Sequence, residues 1–137
     1  MLKTSRALNV TSILVDPYES DTVYAATLEG LYKSTDGGNA WKRIGESLAD
    51  QMIVAMVLDR TRQGVIYITG RDGVHRSEDA GATWKLVNSG FVTTNIRAIA
   101  QSATDPKVFY VGTNGSGLYR SKDAGENWEP MPAVGGK

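Results

Sequence analysis

Ser77–Trp84 reads SEDAGATW, a run of turn-forming residues that ends on the largest apolar side chain. The same order returns as STDGGNAW over Ser34–Trp41 and as SKDAGENW over Ser121–Trp128, and these copies take up all three tryptophans of the chain. A turn that recurs in this way belongs to a repeat. The copies start at residues 34, 77 and 121, spaced by 43 and then 44 residues.

That spacing falls inside the roughly 40–45 residues expected when one repeat is a four-stranded propeller blade. The similarity extends upstream of the turn. TVYAATLEGLYKS from Thr22, VIYITGRDGVHRS from Val65 and VFYVGTNGSGLYRS from Val108 share a tyrosine, a glycine and a basic residue before the serine, and the third copy carries one extra residue near Gly115. Ahead of each lies a further apolar segment: NVTSILVD from Asn9, MIVAMVLD from Met52 and NIRAIAQS from Asn95. Each unit thus offers four short β-type runs separated by Gly, Asp, Asn and Ser clusters. We expect an all-β protein of three four-stranded antiparallel meanders, with blades over about 9–48, 52–90 and 95–133 of a single unit spanning 1–137. The first run of each unit is apolar at nearly every position, which predicts an inner strand buried on both faces. The fourth turns polar soon after the tryptophan, as suits an edge strand.

Each element of the turn has a physical role. Asp36, Asp79 and Asp123 can accept hydrogen bonds from the backbone amides of their own turn, and Gly38, Gly81 and Gly125 can take a positive φ without a steric penalty. Ser34, Ser77 and Ser121 add a local bond. Trp41, Trp84 and Trp128 fold back as an apolar floor with the indole N–H near polar groups at the rim.

These residues resemble the Asp-box, or BNR, repeat of sialidases, the sortilin ectodomain, xyloglucanases and the photosystem II assembly factors. SEDAGATW matches the family pattern in full, whereas Ala40 and Asn127 replace its threonine in the other copies. The resemblance implies a β-propeller whose boxes lie on the outer rim and are structural. It also implies that ligands meet the opposite, loop-built face, here the loops Leu28-Glu29-Gly30, Arg71-Asp72-Gly73 and Asn114-Gly115-Ser116 with the linkers Glu46 to Gln51 and Ser89 to Asn95. Arg71, Asp72, Arg97 and Asn114 are the candidate ligand-face residues. The overall texture is closest to assembly factor-like and related bacterial Asp-box proteins, which resemble protein-binding scaffolds.

Catalytic readings fare poorly by comparison. The sialidase pattern calls for an arginine cluster and a Phe/Tyr-Arg-Ile-Pro segment ahead of the first box, yet no arginine occurs between Arg6 and Arg43. Polysaccharide hydrolysis needs two carboxylates about 5–10 Å apart across a cleft, and sequence spacing does not pair loop acids such as Glu29, Asp50 and Asp72. The turns fail the calcium-loop patterns. His75, the single histidine, stands where Tyr32 and Tyr119 stand in the other units and reads as a packing residue. With no cysteine and no second histidine there is no zinc or disulfide framework. No catalytic residue, metal or cofactor is therefore expected. The runner-up is a fragment of a larger Asp-box glycoside hydrolase.

Fifteen basic residues balance fifteen acidic ones, which argues against nucleic acid as a partner. No apolar run approaches the roughly 18 residues of a membrane span, and the start MLKTSRALNV lacks a signal-type apolar core. A soluble chain is expected, exported only if a leader was removed. NVT at Asn9 and NGS at Asn114 fit the glycosylation sequon, which matters only in a secretory host. Three blades cannot close a ring. The chain is expected to self-associate, as a six-blade dimer in preference to a nine-blade trimer, or to take its missing blades from a longer parent, and to bind a protein or glycan.

Overall fold

The computed structural model describes residues 8–48 and 51–132. Twelve strands form three separate four-stranded sheets. The first holds β1 (Val10–Val15), β2 (Val23–Thr27), β3 (Gly30–Ser34) and β4 (Lys42–Ile44). The second holds β5 (Ile53–Leu58), β6 (Ile66–Gly70), β7 (Gly73–Ser77) and β8 (Lys85–Leu86). The third holds β9 (Ile96–Gln101), β10 (Phe109–Thr113), β11 (Leu118–Ser121) and β12 (Glu129–Pro130). Every pairing is antiparallel and follows chain order, so each sheet is a meander and forms one of three consecutive blades of a β-propeller. One 3-10 turn, Glu46–Leu48, precedes the second blade, and among the described residues no helix is long and apolar enough to cross a membrane.

The cores lie between blades, because side chains along a strand alternate between its two faces. Tyr24, Ala26 and Leu31 of the first blade meet Met56, Ile66 and Ile68 of the second. Tyr67 and Val74, on the other face of the second blade, meet Ile96, Phe109, Val111 and Tyr119 of the third. Tyr67 and Phe109 put their ring centroids 4.4 Å apart. A blade thus has no core of its own and depends on its neighbours for burial.

The inner strands depart from the expectation of burial on both faces. On β1, Leu14 packs against the first-seam cluster while Ile13 and Val15 are exposed, because no described strand packs against their side of the first sheet. On β5, in the middle of the arc, only Ile53 and Met56 are buried, and the other four residues are partly exposed along the inner rim. The inner strands also share an unforeseen irregularity. Their pairing slips by one residue at Thr11, Val54 and Arg97, equivalent places in the three units. Such a bulge re-aims the strand locally.

The seams also carry polar bonds. The Tyr67 hydroxyl donates to the Ala124 carbonyl at 2.7 Å, and the same carbonyl accepts Arg76 Nη1 at 3.1 Å. Arg76 reaches further to Glu126 at 2.7 Å, again across the seam. Tyr67→Phe keeps the buried ring and removes the hydroxyl, which donates to Ala124 and also accepts Arg62 Nη2 at 3.2 Å. It should lower unfolding free energy in urea by about 1–2 kcal/mol, since each hydrogen bond is worth about 1 kcal/mol net and the Arg62 bond is partly exposed. Tyr67→Ala, which also opens a cavity between blades, should cost about 3–5 kcal/mol.

Candidate functional site

The three turns share one hydrogen-bond geometry. Ser34, Ser77 and Ser121 are buried, and each hydroxyl donates to the Oδ1 of Asp36, Asp79 or Asp123 at 2.8 Å. The serine Oγ itself accepts the amide of Gly38, Gly81 or Gly125 at 2.8 Å. The aspartate in turn accepts the amide of Ala40, Thr83 or Asn127 at 2.9 Å. Gly38, Gly81 and Gly125 have φ of +98°, +94° and +95°, and the residue before each, Gly37, Ala80 or Ala124, is also left-handed. A left-handed alanine is costly in isolation, so the surrounding bonds must hold it there.

Residue identity tunes the aspartates. Thr83 adds a side-chain bond to Asp79 Oδ2, and this bond and the Thr83 amide hold the Asp79 carboxyl at a pKa of about 2. Asn127 supplies the corresponding bond to Asp123 at 3.0 Å and also lowers its pKa. Ala40 contributes only its amide to Asp36, which is lowered too. Trp41 and Trp84 donate their indole N–H to Gly38 and Gly81 carbonyls at 2.9 Å, as the turn reading expects. Trp128 differs, since its N–H crosses the seam to the Val87 carbonyl at 2.8 Å while its ring stacks on Phe91.

A hollow beside the edge strand recurs at all three turns. It is widest in the first blade, about 430 Å³, where Ala40 stands in place of Thr83 and Asn127. Its counterparts of about 150 and 170 Å³ repeat with the blades. A feature that follows the repeat belongs to the architecture of the turn.

The opposite ends of the blades gather a different set of residues. A cleft of about 340 Å³ is lined by Leu28, Met52, Val54, Gly70, Arg71, Asn95, Arg97 and Asn114. Repeat positions explain how they meet. Leu28, Arg71 and Asn114 begin the turn between second and third strands, Met52 and Asn95 lead into inner strands, and Val54 and Arg97 occupy the bulges. Backbone bonds pin these turns to the linkers, with the Gly30 amide donating to Gln51 and the Asn114 amide to Asn95, each at 3.0 Å. At Gly70 a Cβ would stand 2.5 Å from the Met52 carbonyl, so only glycine permits this approach.

Of the four ligand-face candidates, Arg71, Arg97 and Asn114 line this cleft, and Asp72 does not. The Asp72 carbonyl instead accepts Asn88 Nδ2 at 2.8 Å, in a clasp that holds the third strand to the blade edge. Its charge favours the protonated form of His75, but burial dominates and pushes the His75 pKa down. Leu28 and Asn95 belong to the loop and linker already read from the sequence as ligand-facing, whereas Met52, Val54 and Gly70 were missed, although their places follow from repeat position. Asp50 lies outside the described residues. Among the described residues no carboxylate lines the cleft, and no group of His, Cys, Asp or Glu side chains could hold a metal ion.

No protein-family model matches the chain, and no curated protein matches it either. Solved structures do. The chain superposes on an ancestral GH74 enzyme with a TM-score of 0.77 at 20% identity, covering 95% of this chain and 19% of that one. It superposes on YCF48 bound to D1 peptide with a TM-score of 0.73 at 18% identity, covering 98% and 44%. A third match is the extracellular domain of the two-component system protein BT3049 from B. thetaiotaomicron, with a TM-score of 0.74 at 19% identity and coverage of 93% and 20%. The chain therefore spans between about a fifth and under half of these propellers. The likeness is one of fold.

Asp79 gives the turn a pH signature. Its folded pKa is lowered from 3.8 to about 2, so its stabilisation is present above pH 3.8 and is lost as pH falls through 2. Asp79→Ala should lower the melting temperature at neutral pH and flatten the decline in stability between pH 4 and 2. Asp36→Ala should flatten it less, because residue 40 offers no side-chain bond. Thermal melts across that pH range measure both.

Proposed function

We propose that this chain is a non-catalytic Asp-box propeller module that binds a carboxylate-bearing ligand, a peptide in preference to a glycan, in the cleft above its inner strands. The observation that carries the reading is the gathering of Arg71, Arg97, Asn95 and Asn114 around one cleft whose described lining holds no carboxylate. Two guanidinium groups offer bidentate, charge-assisted bonds to an acidic group, and the two asparagine amides add neutral donors and acceptors. Leu28, Met52 and Val54 supply an apolar floor, the usual mixture in a ligand cleft.

A peptide is favoured because one of the similar folds, YCF48, is a structure with a bound peptide. The second reading, a piece of a larger glycoside hydrolase, has support from the GH74 folds that the chain resembles. It requires a pair of carboxylates across a cleft, and the described residues lining this cleft include none. The three Ser-x-Asp-x-Gly turns act in this reading as structural boxes on the far rim, each receiving the neighbouring blade.

Calorimetric titration of the full chain with a short glutamate-rich peptide should show binding that weakens as salt is raised. Arg97→Ala should weaken it about tenfold, equivalent to ~1.4 kcal/mol, with the melting temperature unchanged. Parallel incubation with xyloglucan, other β-glucans and sialosides should release no sugar. Reproducible turnover abolished by replacing one loop carboxylate, such as Glu29 or Asp72, would place the chain among the hydrolases.

A further inference from the structure

The two internal seams are built alike, and the chain carries both halves of a third seam that it cannot close by itself. In the first seam the Tyr24 hydroxyl and Lys33 Nζ reach the Ala80 carbonyl at 3.5 and 3.4 Å. In the second, Tyr67 and Arg76 reach the Ala124 carbonyl at 2.7 and 3.1 Å. Each acceptor is the left-handed residue of the next blade's turn. The third blade has the matching donors, Tyr110 and Arg120, and the first blade has the matching acceptor, Gly37, also left-handed with φ +72°.

Exposure marks these halves as open. Tyr110 is 37% exposed, whereas Tyr24 and Tyr67 are 1% and 0% exposed. On the first blade, Ile13 and Val15 occupy the places that Met56 and Leu58 fill in the first seam, and they are 59% and 56% exposed. Exposed apolar surface of this kind marks an interface. The complement of each open face is a face that the same chain presents at its other end, and three blades fall short of a ring. We infer that a second copy of this chain covers both open faces, with Tyr110 of each copy donating to the Gly37 carbonyl of the other and Ile13 and Val15 buried between them. Two chains then close a six-blade ring through two equivalent junctions related by a two-fold axis. Arg120, which pairs with Glu129 of its own blade at 3.2 Å, takes the place of Arg76 when it turns to the same carbonyl. This inference is independent of the ligand proposed for the cleft.

Light scattering on the full chain at micromolar concentrations should give twice the 14.8 kDa mass of one chain. The double substitution Ile13→Glu and Val15→Glu changes only side chains that are exposed in the single chain, so the far-ultraviolet spectrum should persist while the mass falls to one chain. Tyr110→Phe should raise the dissociation constant about tenfold or more, since both junctions lose a hydrogen bond. A mass of three chains that falls to one in the double variant supports the same junction in a nine-blade ring. A parent protein that stays at one chain's mass overturns the inference, as does an oligomer that survives the double substitution. Loss of peptide binding in Arg97→Ala with the mass unchanged separates the cleft from the junction.

Discussion

A buried serine hydroxyl holds the arc together. By accepting the amide four residues on and donating to the aspartate two residues on, it coils the chain tightly enough that the intervening residue becomes left-handed. That inversion turns the carbonyl of Ala80 or Ala124 outward, where the tyrosine and basic residue of the preceding blade find it. The local turn and the long-range packing are therefore one device. Without the turn the neighbouring tyrosine would bury its hydroxyl against no acceptor, and unsatisfied polar groups in a seam are costly.

The same periodicity builds the cleft. Equivalent positions in successive units converge at one end of the blades, so the scaffold fixes where side chains stand and leaves open which ones they are. At the start of the second turn the three units place Leu28, Arg71 and Asn114, and at the bulge they place Thr11, Val54 and Arg97. Thr11 uses its position structurally, donating to the Ile53 carbonyl of the next blade at 2.6 Å. Arg97, in the last unit, lines the cleft. Rigid strands with variable loop residues are how repeat folds acquire binding chemistry.

The three turns made the architecture readable, because Asp, Gly and Trp at fixed spacing impose a single hairpin geometry and their period sets the blade length. Arg71, Arg97 and Asn114 were within reach for the same reason, since the turn and linker positions follow from the repeat. Asp72 shows where such reading stops. It is adjacent to Arg71 but does not line the cleft, while its main-chain carbonyl accepts Asn88 Nδ2, and the close approach of Asn88 to Gly73, set by a missing Cβ, leaves no pattern in the sequence. The bulges were equally hidden, since an extra residue in one strand shows itself only against its partner. The exposure of Ile13 and Val15 reflects what stands beside β1, which a strand's own residues do not reveal.

The acceptor in each seam is a main-chain carbonyl, and this has a consequence for inheritance. Substitution cannot delete a carbonyl, so the receiving half of every blade junction is immune to most point mutations at its own position. Gly37, Ala80 and Ala124 already differ in side chain while presenting the same group. Only the donor tyrosine and the few residues that fix the turn are exposed to loss. A duplicated blade can drift widely in sequence and still dock, which fits a fold shared with proteins about 20% identical to this one.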